Sequence, residues 1–577
     1  MAQLNESAST KPTQFVAHQP GVSSMPKWSL GELPEAPVFE WRKLAAFIGP
    51  GVVMAAAAIG GGEWLTGPRN TAMYGPAIFW LATFSILIQG IYNVEICRYT
   101  LYTGEPIFTG KFRIFPGPWF WVFLYLLLDF GSFLPYLASS AAGPLGAMLL
   151  GRQLNTKQDA LLAIDWSWLQ MTDATYVKIL GLLIFVGVFI PLLFGGKIYN
   201  SMRALMTFKL FVVFGFLLFL AVFFSTFQTW KEIGTGFFKF GTVPVYAWED
   251  TNKDGKQDAG EAKHVPRLDN ALIAVSEGRF WDFYANCDLA LVGFLTAMAA
   301  LAGNGGLTNT PVSNYTREQG WGMGGHVGAI PSLIGGQEIT LSHEGCVFEV
   351  TPEALPRWKR WLKHVKREQW MLWVPACFCG LAMPSMLSIV FLQKGEIPAD
   401  KDLVACMTAD GVSKAVGQSF GLPMGNLFWY LTLFCGFLVL ATSMASTADG
   451  VLRRWVDVFW TASPRLRKWD VKDIGKLYLG VMAVYMALGT VMLLFLDGAA
   501  LLVFSTMMYN YALGFSCLHA LVVNVTLLPK PLRPSWGPRL GLVFGSFFFI
   551  TLAMVTMWKE RNNADLWAVI DRVGSWF

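Results

Sequence analysis

Long apolar runs recur along the whole chain and constrain its fold more than any other feature. Each run has about 20 residues, which is enough for a helix to cross a hydrocarbon core about 30 Å thick. Only 14% of the 577 residues are charged, whereas soluble globular proteins have about a quarter. The sequence therefore predicts an all-α protein embedded in a lipid bilayer, with many transmembrane helices.

We identify eleven candidate spans, and the loops between them give an orientation. The approximate limits of the spans are 43–72, 76–102, 118–148, 176–195, 202–227, 287–315, 370–393, 425–450, 475–496, 499–528 and 538–558. Loops such as "RWKRWLKHVKR", "RRWVDVFWTASPRLRK" and "PKPLRPSWGPR" are basic, and they alternate with mixed or acidic loops. Because basic loops stay in the cytoplasm, we expect a cytoplasmic N-terminus and an external C-terminus in a cell (inner) membrane.

Motifs of soluble enzymes are missing from the sequence. There is no Walker loop, nucleophile elbow or zinc motif, and the six histidines show no metal-ligand spacing, so we do not expect an enzyme. The net charge of +5 reflects basic loops and does not indicate nucleic-acid binding.

The polar first forty residues are expected to form a loosely ordered tail. Cys287 and Cys406 fall on the predicted outer side, where they could pair; their alternative role is helix packing.

Two glycine clusters interrupt spans one and six at membrane depth. The first is Gly60, Gly61, Gly62 and Glu63, and the second is Gly303, Asn304, Gly305 and Gly306. Irregular backbone at this depth is tolerated where it lines a cavity or is buried in protein. Interrupted spans at corresponding places in two halves of a transporter indicate the binding site. The alternative is a close, glycine-mediated helix crossing.

The separation of the two interruptions by five spans predicts two inverted five-helix repeats. The expected organisation is a cytoplasmic tail (1–42), a first repeat of spans one to five (43–227), an external loop (228–286), a second repeat of spans six to ten (287–528), and span eleven with an external tail (529–577). In the first cluster, a carboxylate at membrane depth is costly unless it is compensated. We expect Glu63 to contact a substrate or coupling ion; the alternative is an ion pair with a neighbour such as Arg69.

Four segments share a pattern with one known family of transporters. They are "EWLT" at Glu63, the following "YGP", "CRYTLYTG" at the end of span two, and "LLLDFGS" in span three. A fifth segment, "LVFSTMMYNYALGF" in span ten, also matches. These segments resemble the Nramp family of proton-coupled divalent-metal transporters. The resemblance implies a LeuT-type fold with broken helices 1 and 6, places Asp129 on the proton-accepting Asp of the family, and implies protons as the coupling ion in a symport.

The chain departs from that family at the metal site. The family's metal-binding Asp is Gly60 here, its Asn is Glu63, its Met falls near Ala302 and its His falls on Asn304. Loss of the Met sulfur removes the preference for soft transition metals, and an oxygen-only site suits a hard ion such as magnesium. The resemblance implies these substrate-binding positions: Gly60, Gly61, Gly62, Glu63, Ala302, Gly303, Asn304 and Thr506.

Three functions are compatible with these features. The first is a secondary transporter that moves a divalent metal cation, hard and partly hydrated, such as magnesium. The second is a carrier of an amino acid or another small organic solute on the same fold, because small glycines enlarge the cavity. The third is a membrane sensor that does not transport, which an external calcium loop would suit.

That calcium loop is predicted between spans five and six. "DTNKDGKQDAGE" covers positions 250 to 261, and the calcium loop of EF-hands places its ligands at positions 1, 3, 5, 7, 9 and 12 with glycine at 6. The matching ligands are Asp250, Asn252, Asp254, the carbonyl of Lys256, Asp258 and Glu261. We expect bound Ca²⁺ here; the alternative is a solvated acidic turn.

Replacing both end ligands, Asp250→Ala with Glu261→Ala, should abolish stabilisation of the protein by calcium. Calcium that binds only the folded loop raises the unfolding temperature by mass action, so the double variant should melt at the same temperature with and without the ion. Thermal unfolding of purified protein measures this, and transport at equal expression should change little. A wild-type protein whose melting temperature does not change when calcium is added would contradict the assignment.

Overall fold

A computed structural model describes most of the membrane part of the chain. The described residues are 15–17, 19–38, 60–156, 162–166, 169–193, 198–248, 263–287, 292–328, 344–395, 401–469 and 473–561. The predicted calcium loop at 250–261 lies outside the described residues, as does the part of the first predicted span that precedes Gly60.

Helices make up most of the described chain. In the first half they are α1 (Gly61–Tyr74), α2 (Trp80–Thr103), α3 (Ile107–Phe112), α4 (Pro118–Leu128), α5 (Tyr136–Leu150), α6 (Asp173–Gly187), α7 (Ile190–Leu193), α8 (Ile198–Phe224), α9 (Phe227–Gly236), α10 (Ala271–Ser276) and α11 (Phe280–Ala285). In the second half they are α12 (Val292–Leu301), α13 (Pro311–Glu318), α14 (Gly324–Val327), α15 (Ala354–Glu368), α16 (Val374–Phe391), α17 (Ala409–Phe420), α18 (Leu422–Ala462), α19 (Ile474–Phe495), α20 (Gly498–Thr526) and α21 (Trp536–Glu560).

Short strands and single helical turns connect these helices. The strands are β1 (Ser29–Leu30), β2 (Leu162–Trp166), β3 (Leu169–Thr172), β4 (Thr242–Trp248), β5 (Lys263–Asn270) and β6 (Cys346–Val347). β1 pairs with β6 in parallel, whereas β2–β3 and β4–β5 are antiparallel pairs. The 3₁₀ turns are Pro76–Ile78, Asp129–Phe133, Gly306–Asn309, Lys401–Cys406, Leu466–Lys468 and Lys530–Leu532, and a π-helical turn at Gln369–Trp373 joins α15 to α16.

Eight helical stretches in the described chain are long and apolar enough to cross a membrane. Large apolar side chains such as Phe123, Phe211 and Phe547 lie on the outside of the helix assembly, between 70% and 76% exposed. Exposure of this kind is costly in water and favourable in hydrocarbon, so the chain is an integral membrane protein. The count of eleven spans and the two inverted repeats stay predictions.

Span six is interrupted where the sequence predicted it, but two other spans differ from the expectation. α12 ends at Leu301 and α13 begins at Pro311, which confirms the second interruption. Span three is also interrupted, because the 3₁₀ turn Asp129–Phe133 separates α4 from α5. The predicted basic loop after span eight is instead helical, since α18 continues to Ala462 and buries Arg453 and Arg454.

The N-terminal segment 19–38 is ordered against the cytoplasmic-side loops of the predicted topology, and the expectation of a loosely ordered tail is wrong for it. Met25, Trp28 and Leu33 are at most 4% exposed, and burial of such apolar surface offsets the cost of ordering the backbone. The Arg113 guanidinium lies 4.9 Å from the Trp28 ring and donates to the Pro26 carbonyl at 2.8 Å. At the other end, Trp361 of α15 donates to the Pro34 carbonyl at 2.8 Å.

Trp28→Ala should release this N-terminal segment from the membrane domain. The variant loses the largest buried side chain of the segment and its contact with Arg113, so cleavage by trypsin after the neighbouring Lys27 should become faster. Limited proteolysis followed by mass spectrometry measures the rate. Phe15→Ala is the control, since Phe15 is 47% exposed, and equal cleavage rates in the two variants would contradict the prediction.

Candidate functional site

The start of α1 and the break between α12 and α13 meet at a small polar cavity. It has a volume of about 50 Å³ and is lined by Gly60, Gly61, Gly62, Glu63, Tyr136, Leu137, Leu301, Gly303, Asn304, Thr308, Pro311, Tyr315, Ser443, Ser446 and Thr447. A water molecule needs roughly 10–15 Å³ on this measure, so the space suits an ion with a few waters. The structure thus brings together six of the eight positions predicted for substrate binding.

The carboxylate of Glu63 connects the start of α1 with the break between α12 and α13. Glu63 lies in the first turn of α1 and is 2% exposed. One carboxylate oxygen accepts the N–H of Gly60 at 3.1 Å, and the other accepts the N–H of Gly303 at 3.1 Å. Each oxygen keeps further acceptor capacity, so these bonds orient the carboxylate and still leave it able to bind a cation.

Lys209 is a second buried ionisable residue of the membrane part. It lies in α8 and is fully buried, and α8 packs against α18, whose residues Ser443, Ser446 and Thr447 line the cavity. The alternative in which Glu63 forms an ion pair with Arg69 stays a prediction.

The glycines of the first cluster allow neighbouring helices to approach closely. A Cβ atom at Gly61 would lie 2.2 Å from the Leu137 side chain, and one at Gly62 would lie 2.4 Å from Leu301. The N–H of Gly61 also donates to the Ser443 hydroxyl of α18 at 3.3 Å. Close helix packing and the cavity thus coexist at the same glycines, and the two interpretations of the cluster do not exclude each other.

Gln89 of α2 holds the second interruption in place. Its side-chain amide donates to the Ala302 carbonyl at 2.7 Å, and its oxygen accepts from the Asn309 side chain at 2.7 Å and from the Asn304 N–H at 3.2 Å. Gly303 has φ of +100°, a conformation that glycine adopts without strain. The chain therefore turns sharply here and aims the Gly303 N–H at Glu63.

Ala302 and Thr506 are the two predicted positions that are not among the described residues lining the cavity. The Ala302 carbonyl is bound by Gln89, behind the cavity. The Thr506 hydroxyl donates to the Val503 carbonyl within its own helix, α20, at 3.0 Å. A role for either in substrate binding stays a prediction.

Asp129 is fully buried and has four hydrogen bonds from its neighbours. Arg454 donates to one carboxylate oxygen at 2.6 and 2.9 Å, and Trp455 donates to the same oxygen at 2.8 Å. The other oxygen accepts from Ser132 at 2.7 Å. Arg454 also donates to the Leu307 carbonyl at 3.0 Å, so the ion pair ties span three to α18 and to the second interruption. Proton coupling through Asp129 stays a prediction.

Further ion pairs continue this connection along α13 and α18. Arg453 pairs with Asp449 at 2.8 Å and with Glu318, and Tyr315 donates to Asp449 at 2.9 Å. One turn beyond Arg453 on α18, Asp457 pairs with Arg317 at 3.1 Å. These buried charges are mutually compensated, as charges inside membrane proteins usually are. Cys287 and Cys406, by contrast, form no disulfide in the structure.

Sequence reasoning missed Gln89, Lys209 and Arg454. Ser85, Gln89 and Asn93 recur every four residues, which places them on one face of a helix, and this polar face was the available signal. Arg454 was counted as a loop residue because it follows the apolar run of span eight. Lys209 stands alone as a charge within the apolar run of span five, so nothing near it in the sequence indicates that it is buried.

Comparison with known proteins supports the fold. No protein-family model matches the chain. An uncharacterized protein of Pasteurella multocida is 30% identical over 115 residues, which are 19% of this chain and 24% of that protein, so the match spans about a quarter of the relative's length.

Among solved structures, a manganese transporter of Eremococcus coleocola matches with a TM-score of 0.50 and 12% identity, over 94% of this chain and 93% of that one. A mutant of the same transporter matches with a TM-score of 0.49 and 12% identity, over 93% and 90% of the two chains. The first match shows that the chain shares the fold of this manganese transporter, in agreement with the transporter fold that the sequence resemblance implied.

Removal of the arginine from the Asp129–Arg454 pair should cost more stability than removal of both charges. Arg454→Met leaves a buried carboxylate without its counter-ion, which costs about 3–5 kcal/mol. Asp129→Asn combined with Arg454→Met should recover about 1–3 kcal/mol of that loss, as expected for coupled neighbours.

Unfolding of Asp129→Asn, of Arg454→Met and of the double variant in detergent measures this double-mutant cycle. Lys476→Met is the control, because its pair with Asp473 is exposed and exposed pairs contribute little. Strictly additive effects of the two substitutions would contradict the coupling.

Proposed function

We propose that the chain is a secondary transporter that moves a divalent metal cation across the membrane. The observation that carries this proposal is the buried Glu63 carboxylate, which lines a polar cavity between the start of α1 and the break that separates α12 from α13. A fixed negative charge inside a membrane protein is a binding site for a cation. The manganese transporter with the same fold gives independent support, since its name describes the transport of a metal ion.

The donor set favours a hard, partly hydrated ion. Besides Glu63, the side chains that line the cavity offer oxygen donors from one amide and from hydroxyl groups, namely Asn304, Tyr136, Thr308, Tyr315, Ser443, Ser446 and Thr447. No methionine or cysteine is among these lining residues, and oxygen donors suit magnesium or manganese better than soft ions.

The few charges in the site favour weak binding. In the described part of the chain, no group of three His, Cys, Asp or Glu side chains is close enough to hold a metal ion. A single carboxylate with neutral oxygens leaves several coordination positions for water, as magnesium prefers. Weak binding suits a carrier, because a transported ion has to leave the site again. Protons are the proposed coupling ion, as the family resemblance implies.

A carrier of zwitterionic amino acids is the second candidate. The observation that favours it is the lining of the cavity, in which a single carboxylate stands among neutral hydroxyl and amide groups. The volume argues against it, since the cavity of about 50 Å³ is small beside the 300–1,000 Å³ of typical sites for drug-sized ligands. An uptake screen in proteoliposomes over magnesium, manganese, cadmium and amino acids separates the two candidates.

Glu63→Gln should abolish metal uptake while the protein still folds. The amide keeps the size of the side chain and one acceptor oxygen, but it removes the charge that attracts the cation. Uptake of manganese and magnesium into proteoliposomes should fall at least tenfold, with little change in gel-filtration profile.

Glu560→Gln is the matched control, because Glu560 is 7% exposed at the end of α21, outside the cavity. Normal metal uptake by Glu63→Gln would contradict the proposed function. Binding of metal without any uptake by the wild-type protein would favour the sensor.

A further inference from the structure

One face of α15 presents a row of three lysines to the outside of the protein. Lys359, Lys363 and Lys366 follow one another at spacings of four and three residues, which places them on the same face of a helix. All three side chains are exposed. Among the described residues, no carboxylate forms an ion pair with any of them. This lysine face is therefore a positively charged surface that the described part of the protein does not neutralise.

The other faces of α15 already have partners. Trp361 is 4% exposed and donates to a carbonyl of the N-terminal segment. Arg357 pairs with Glu32 at 2.6 Å, and Arg360 pairs with Glu35 at 2.5 Å. The N-terminal segment thus compensates the arginines, while the lysines point away from it. The two kinds of basic residue in this helix have different environments, and the lysine face is the one that is open to an external partner.

The lysine face continues directly into a part of the chain that crosses the membrane. α15, the π-helical turn and α16 form one helical stretch, Ala354–Phe391, which is long and apolar enough to span a bilayer. Trp370 follows Lys366 by four residues and is 40% exposed, and the next residue, Met371, is 51% exposed. Exposed tryptophans are typical of the boundary between headgroups and hydrocarbon. Hence the lysines lie just beyond that boundary.

An exposed tryptophan of another helix lies at the same level. α21 begins with Trp536, which is 73% exposed. Both α16 and α21 pack against residues 90 and 91 of α2: a Cβ atom at residue 90 would lie 2.9 Å from Val374, and one at Gly541 would lie 2.7 Å from residue 91. Trp370 and Trp536 stand four and five residues before these contacts. The two rings therefore mark one boundary of the membrane.

The distance from this boundary places the lysines among lipid headgroups. A helix rises about 1.5 Å per residue, so Lys366 and Lys363 lie about 6 and 10 Å beyond Trp370 along the helix. The headgroup layer of one leaflet is roughly 5–8 Å thick, and the attraction between exposed charges extends over about 8–10 Å at physiological salt. The partner that meets this face is consequently the lipid surface itself.

We propose that the lysine face of α15 binds the anionic headgroups of phospholipids in the adjacent leaflet. Charge complementarity carries the proposal, because the three ammonium groups can donate hydrogen bonds to phosphate oxygens and basic clusters beside a membrane-crossing helix attract anionic lipids. The bound lipid anchors α15, and it stabilises the folded protein by mass action. The proposal goes beyond the proposed function, since it does not depend on what the chain transports.

The test compares lipid binding by the wild-type chain with that of a triple variant, Lys359→Gln, Lys363→Gln and Lys366→Gln. Native mass spectrometry of the purified full chain follows the first bound lipid during titration with phosphatidylglycerol or phosphatidylcholine. Loss of three charges at the membrane surface should weaken phosphatidylglycerol binding by about tenfold or more. Phosphatidylcholine, which has no net charge, should bind both proteins equally weakly. Added salt should reduce the preference of the wild-type protein for phosphatidylglycerol, because salt screens exposed charges.

Matched variants separate this face from the net charge of the protein. Lys231, Lys239 and Lys414 are also exposed, and they lie in parts of the chain that the predicted topology places on the other side of the membrane. Their combined replacement by glutamine removes the same charge and should leave phosphatidylglycerol binding unchanged. Replacement of the three lysines of α15 by arginine keeps the charge and should keep the binding. If the triple glutamine variant does not fold, Lys363→Gln with Lys366→Gln removes the two charges nearest to the boundary.

Several outcomes would overturn the proposal. One is unchanged phosphatidylglycerol binding in the glutamine variants of α15, and another is an equal loss in the variants of the opposite side. Equal affinity of the wild-type protein for phosphatidylcholine would show that charge does not direct the binding. Displacement of phosphatidylglycerol by inorganic phosphate at equal concentration would assign the face to a soluble anion and not to the lipid surface.

Discussion

The carboxylate of Glu63 accepts the N–H group of Gly60, at the start of α1, and that of Gly303, in the break between α12 and α13. A break in a helix inside a membrane exposes backbone groups that lipid cannot satisfy. One side chain binds two backbone donors from segments far apart in the sequence. The bonds that hold these two segments together therefore also fix the orientation of the carboxylate on which the proposed cation binding depends.

Polar side chains from other helices bind the backbone carbonyls of the second interruption. Gln89 of α2 binds the carbonyl of Ala302, while Arg454 of α18 binds the carbonyl of Leu307. Both carbonyls belong to the second interruption, so neighbouring helices satisfy it from two sides. Arg454 is itself compensated by Asp129, and so the conformation of the second interruption depends on an ion pair that lies outside the cavity.

The sequence predicts the interruption of span six, because clustered glycines are poor helix formers and weaken any helix that an apolar run would otherwise continue. The corresponding interruption of span one stays a prediction, since the residues before Gly60 lie outside the described part of the chain. The sequence also places Glu63 beside the break in span six, since the two halves of a repeated transporter fold bring their broken helices together. The partners of the buried charges could not be predicted. Arg454 looks like a loop residue in the sequence, and only the continuation of α18 to Ala462 shows that it is buried.

The order of the N-terminal segment could not be predicted from the sequence either, but for a different reason. Its residues are polar or proline overall, and this composition is typical of a disordered tail. A few side chains decide the outcome, because Trp28 and Leu33 are each 1% exposed and have apolar surfaces to pack against. Average composition does not reveal such anchors when the surface that receives them is built from distant parts of the chain.

A small number of charged ligands has a consequence for transport. A cavity with many charged ligands would hold a divalent ion tightly, and the ion would leave slowly because tight binding is mainly slow dissociation. In the proposed function, one carboxylate attracts the ion and neutral oxygens share its coordination with water. Both features reduce the strength of binding without removing the preference for a positive charge. Such a site has the balance that a carrier requires, in which the same groups that admit a cation also allow it to leave.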